Sequence, residues 1–202
     1  MKKILQQGHL DGFCLLYALA NAFKVLKYPD RTASWFVYNQ GHVWKKLVSV
    51  TPSLHNFASG EGSCFGVSTD RTDVTVKESF LELCAAVIGE RKMETFTAHR
   101  VPAIELPAAI GKHSVALMCF GQGVKTERCT IGDHWVSVVD VDEDKYFLAC
   151  SYADHLSEKV TESGVAVSPV HKRPFNNTIA RRSVNKTTIV ENSVYCFSMI
   201  SN

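Results

Sequence analysis

A chain of 202 residues, 46% hydrophobic and 21% charged, can bury one sizeable core. Its formal net charge of +2 excludes a strong overall pull toward nucleic acid or membrane surfaces. The basic start Met1-Lys2-Lys3 resembles a secretory signal, but Gln6, Gln7, His9 and Asp11 break the apolar run behind it, and the stretch Phe13 to Phe23 is too short to span a bilayer. A single domain over residues 1–202 is expected, soluble and cytoplasmic, with export by other machinery left open.

Along the chain, Asp11 is placed to cap a helix from about Gly12 to Leu26, apolar on nearly every side as a buried central helix would be. A second helix is expected from Ser34 to about Val48, with Ser34 as its cap. Residues 60–66 and the stretch Thr69 to Asp73 have loop composition, and a third helix is expected from about Val76 to Ile88, closed by Gly89. The period then changes. Ser114 to Phe120, Trp135 to Asp142 and Lys145 to Tyr152 are rich in Val and aromatic residues and predict strands. The turn Asp142-Glu143-Asp144-Lys145 joins the last two in an antiparallel hairpin, and a final strand is expected from Ser193 to Ile200. Helices followed by an antiparallel sheet define an α+β class, with a helical half of about residues 1–112 and a sheet half of about 113–202. Residues 155–190 show no clear period.

Seven cysteines include no C-x-x-C pair, and Cys84 and Cys119 sit inside apolar runs where a thiol serves as a small hydrophobe. No metal or organic cofactor is implied. Cys14 differs. In Gln7-Gly8-His9-Leu10-Asp11-Gly12-Phe13-Cys14 the thiol falls in the first turn of the buried helix, where the positive end of the helix dipole favours thiolate. A core cysteine near a helix start would fit the same position. Gly132-Asp133-His134-Trp135 opens a strand with a histidine behind a loop, where an imidazole can face a cleft and exchange a proton with a thiol. A surface or core histidine at a strand edge is the plainer reading. Asn21, on the same helix face as Cys14, is expected to hydrogen-bond a buried loop. Trp35, Phe36, Tyr38 and Trp44 are expected in the core. The stretch from His171-Lys172-Arg173 through Arg181-Arg182 to Lys186 holds no acid and reads as a solvated surface or a grip for an acidic partner or nucleic acid.

The order of Gln7, Cys14 opening a helix with Tyr17-Ala18-Leu19-Ala20-Asn21, and His134-Trp135-Val136-Ser137-Val138-Val139 far downstream resembles the papain-like cysteine peptidases. It is most similar to the bacterial branch that resembles bacteriocin-leader peptidases, over roughly residues 5–26 and 112–152. The resemblance implies a papain-like fold in which the buried helix packs on the C-terminal antiparallel sheet. It implies Cys14 as nucleophile, His134 as general base, and Gln7 (or Gln6, since the register is not fixed) as the donor that completes an oxyanion hole with the Cys14 N–H. Two positions depart from the pattern. Leu15 stands where many relatives have Gly, and Cys150, sixteen positions beyond His134, stands where an Asp or Asn would orient the imidazole. Ser151 or Asp154 would take that place if the register slips; otherwise a Cys–His dyad remains.

The implied activity is attack on a peptide or amide carbonyl of a protein or peptide substrate through an acyl-enzyme. Glutamine deamidation and acyl transfer are alternatives on the same dyad. A catalytically inactive, protein-binding module is the non-enzymatic alternative, favoured by Leu15 and Cys150. A compact thiol hydrolase of this kind would suit a bacterial or phage-borne effector, by analogy alone.

Overall fold

A computed structural model describes residues 3–6, 13–55, 71–89, 94–152 and 166–200. Within them lie three helices, α1 (Cys14–Lys27), α2 (Ala33–Val50) and α3 (Arg71–Gly89). Strands β1 (Thr95–Arg100), β2 (Ser114–Phe120), β5 (His134–Val141), β6 (Lys145–Ala149), β7 (Asn177–Ala180) and β8 (Ile189–Ile200) form an antiparallel sheet in the order β1-β8-β2-β5-β6-β7. The short strands β3 (Val124–Lys125) and β4 (Thr130–Ile131) make a separate hairpin ahead of β5. The class is α+β. None of the described helices is long and apolar enough to cross a membrane.

The helix α1 is rich in Leu and Ala, good helix formers, and it packs against both α2 and the sheet. Leu15, Leu16 and Leu19 are fully buried, each worth roughly 1.5–3 kcal/mol of transfer free energy. One cation interrupts the apolar surface. Lys24 is wholly buried and donates to the Tyr28 carbonyl at 3.4 Å; burial, helped by Lys3 and opposed by Asp30, brings its pKa down to about 8. The helix begins at Cys14, with Phe13 in the cap position and no side-chain cap bond. Asp11 and Gly12, the expected cap and start, lie outside the described residues.

Thr32, not Ser34, caps α2: its hydroxyl oxygen accepts from the Trp35 N–H at 3.1 Å. A capping side chain serves an N–H two or three positions on, so the earlier residue wins and Ser34 falls inside the first turn. Helix α3 starts at Arg71, so part of the expected loop from Thr69 to Asp73 is helical. A polar first turn has the composition of a loop. Residues 60–70, the rest of that expected loop, are outside the described set. Tyr38, expected in the core, is 90% exposed.

The sheet also begins before the expected division near residue 112. In Thr95–Arg100 only Phe96 and Ala98 are buried, so alternation with Thr, His and Arg hides an edge strand that pairs with β8. The hairpin at Asp142 forms as expected, its carboxylate accepting from the N–H groups of Asp144 (2.9 Å) and Lys145 (2.7 Å). Strand β6 ends three residues short of Tyr152, and β8 starts at Ile189 instead of Ser193.

The basic stretch is divided. Arg173 is only 4% exposed and donates to the carbonyls of Gly111, Lys112, Ser114 and Val139 at 2.6–2.8 Å. Arg181 donates to the Asp142 and Glu143 carbonyls. Lys172, Arg182 and Lys186 stay exposed.

Candidate active site

Residues alternate across β5. Trp135 and Val139 join the core that holds α1, whereas Val136 and Val138 join the core on the opposite face. Ser137, on the α1 side, donates from its hydroxyl to the Ala18 carbonyl at 2.6 Å and so fixes the second turn of α1 over the middle of β5. Further along α1, Phe23 packs on Phe96 with ring centroids 5.2 Å apart, and Phe96 stacks on Phe197 at 5.6 Å. Phe197 pairs with Val115 at the start of β2, the end of the sheet where β5 finishes. The helix therefore runs in the same direction as β5. Cys14, one turn ahead of Ala18, lies toward the end of the sheet where His134 opens the strand.

The loop before His134 has little freedom. Asp133 takes a left-handed conformation (φ 44°) and accepts a hydrogen bond from the Gln122 side chain. A Cβ on Gly132 would stand 2.6 Å from Gln122 Oε1, so a side chain there would push the Gln122 amide aside. His134 is 7% exposed, and burial lowers its pKa from 6.5 to about 4. It is a neutral imidazole at pH 7.

Its polar neighbour is Ser151, whose hydroxyl lies 3.4 Å from Nε2; Tyr152 stands beside the ring at a centroid distance of 5.8 Å. His134 pairs with Phe120 across β2, which assigns it by alternation to the face away from α1. Among the described residues no hydrogen bond joins it to Cys14. The ring also borders a cavity of about 450 Å³ lined by Gln122, Thr130, Gly132 and Tyr152.

Cys150, the expected orienting position, is fully buried in the core on the second face. Its backbone N–H donates to Asn176 Oδ1 at 2.9 Å and its carbonyl accepts from Asn176 Nδ2 at 2.7 Å. That clamp, set after β6 ends, presents Ser151 to the imidazole. Asn176 carries no local signal in the sequence, because its partner is 26 residues away. Gln7 and Asp154 lie outside the described residues.

Cys14 is 4% exposed and occupies the first turn of α1, which holds no acidic residue to oppose a thiolate. Lys77 is also buried, and its ammonium lies 5.9 Å from the centroid of Trp135 on the face that α1 covers. A lysine in Val76-Lys77-Glu78 reads from sequence as solvated, so nothing local marks it. Asn21 clamps the segment that leads toward Gln7: its Oδ1 accepts from Leu5 N–H at 2.7 Å and its Nδ2 donates to Leu5 C=O at 3.1 Å. Asn21→Leu strands both backbone groups in an apolar setting, and a stability loss of about 2 kcal/mol is expected. Urea unfolding measures it; an unchanged midpoint would refute the clamp.

Among the described residues no group of three or more His, Cys, Asp or Glu side chains could hold a metal ion. Compared with known proteins, the chain matches no protein-family model, and no curated protein matches it significantly.

Proposed function

We propose that the protein is a cysteine hydrolase of papain-like fold that attacks a peptide or amide carbonyl through Cys14, with His134 as its base. The observation that carries the reading is the course of α1, which runs with β5 and brings the thiol-bearing first turn toward the strand end that bears the imidazole. The first N–H groups of a helix have no intrahelical acceptor, so the N–H of Cys14 is suited to an oxyanion. Gln7 would supply the second donor.

This reading requires the His134 ring, which faces away from α1, to leave Ser151 and turn around the strand end to meet the thiol when substrate binds. Burial disfavours a lone imidazolium, but a neighbouring thiolate favours it, so the two groups exchange the proton as a pair. The sulfur bonds to the carbonyl carbon and its proton passes to His134. The leaving amine takes that proton as the C–N bond breaks. Water, deprotonated by His134, then cleaves the thioester and restores the thiol.

A protein-binding module without activity is the second reading. The observation favouring it is His134, held neutral and bonded to Ser151.

Iodoacetamide labelling at pH 6 separates the two. If the hydrolase reading holds, Cys14 reacts at least about tenfold faster than half-buried Cys129, the effect of roughly one unit of thiol pKa, and His134→Ala removes the advantage. If Cys14 is as slow as Cys84, whose thiol burial pushes up, and His134→Ala changes nothing, the hydrolase is wrong. Mass spectrometry of peptides incubated with the reactive protein then distinguishes cleavage from the one-dalton gain of deamidation.

A further inference from the structure

The cavity that His134 borders, about 450 Å³, falls in the lower part of the range of ligand sites, roughly 300–1,000 Å³. Part of its wall is the β3–β4 hairpin, through Thr130 and Ile131. The hairpin is tied to β7 at its tip: Asn177 Nδ2 donates to Thr126 Oγ1 at 2.8 Å, and Asn177 Oδ1 accepts from the Arg128 N–H at 3.3 Å. Gln122 is oriented as well. Its Nε2 donates to the Asp133 carboxylate, which leaves Oε1 turned toward Gly132 in the same wall. The shape is set before any ligand arrives.

Two properties of the wall define what fits. None of its described residues carries a charge at pH 7, His134 included, since burial brings the imidazole pKa down to about 4. An ion entering would give up water without gaining a counter-charge, and the Asp133 carboxylate behind Gln122 opposes an anion further. The second property is hydrogen bonding. His134 Nε2 meets Ser151, whereas Nδ1 has no partner among the described residues and is not sealed from solvent. A neutral imidazole donates through one nitrogen and accepts through the other, and the Ser151 hydroxyl suits either role. Nδ1 therefore offers a donor or an acceptor according to the tautomer, and Gln122 Oε1 offers an acceptor. A carboxamide donates and accepts in one plane, so it satisfies Gln122 with either tautomer. A carboxylate, an ammonium or a thioether does not.

We propose that this cavity binds the carboxamide side chain of a glutamine or asparagine in a protein or peptide, held by the His134 imidazole and Gln122. Its use in recognising a substrate rests on the hydrolase reading, whereas binding itself needs no reactive thiol.

The probes are N-acetyl-glutamine methylamide and its glutamate and methionine counterparts, which share a backbone and differ in the end of the side chain. Titration of the intact chain is followed by the His134 Hε1 resonance, identified by its loss in His134→Gln. The glutamine probe is expected to bind about five- to tenfold more tightly than the methionine probe, the worth of one net hydrogen bond, and at least about tenfold more tightly than the glutamate probe. Gln122 is exposed, and Gln122→Ala is expected to remove the preference over methionine. No shift of the His134 resonance with the glutamine probe, equal affinity of the glutamine and methionine probes, tighter binding of glutamate, or a preference untouched by Gln122→Ala would overturn the proposal. A glutamine preference in a protein whose Cys14 shows no labelling advantage keeps this site and removes the hydrolase; a reactive Cys14 without that preference does the reverse.

Discussion

Arg173→Met is expected to lower the unfolding free energy by about 3 kcal/mol, measured by denaturant titration at pH 7. The guanidinium donates through Nη1 to Ser114 and Val139 and through Nη2 to Gly111 and Lys112, gathering carbonyls from the loop before β2 and from the bulge of β5. Burial lowers its pKa to about 10, with Asp140 opposing the shift, so it remains a cation at neutral pH. Methionine keeps most of the volume, removes every donor, and leaves the buried Asp140 without its nearby positive charge. Asp140 retains the N–H groups of Val170 (3.1 Å) and His171 (2.8 Å). Lysine should rescue little, because an ammonium cannot span four carbonyls as the planar fork does. A loss below about 1 kcal/mol would show that the arginine does not hold these segments together.

The second large effect is acid sensitivity from His134. Its pKa is 6.5 as a free side chain and about 4 in the fold, with burial as the cause. The unfolded chain therefore takes up a proton first as pH falls. The contribution of the neutral ring is fully present above pH 6.5, declines through the window from 6.5 to 4, and is lost below it. The shift corresponds to about 3 kcal/mol across that window. Unfolding curves at pH 7, 5.5 and 4 should show this decline in the native protein, and His134→Gln should flatten that part of the profile. If the two proteins lose stability in parallel over the window, the imidazole is not buried in its neutral form.

Elements with a strong hydrophobic period could be read from the sequence: α1, β2, and the β5–β6 hairpin with His134 at its first position. What escaped was decided by partners far along the chain. Whether Cys150 or Ser151 meets the imidazole depends on where β6 stops, and Asn176, 26 residues later, holds that point. Arg173 reads as one more surface cation until the loop at 111–114 folds around it. Strand β1 has too few inward residues to stand out until β8 pairs with it. Thr32 and Ser34 are equally good caps by type, and only the N–H that needs an acceptor separates them. The kink at Gln40 in α2 leaves no mark, because a glutamine followed by glycine within a helical pattern reads as a mild local weakness.

Strand β8 lies between β1 and β2, and residues 195–198 in its second half pair with both. During synthesis β1 and β2 emerge about 94 and 75 residues before their shared partner, so neither half of the sheet can be completed while residues 189–200 are still inside the ribosome. Until then the apolar underside of α1 has only a partial platform. Loop closure over so long a separation slows folding and leaves sticky surface open to other chains. Helix α1, by contrast, packs on β5 and β2, which both precede β8, so the helix that carries Cys14 can meet its strand before the sheet is closed.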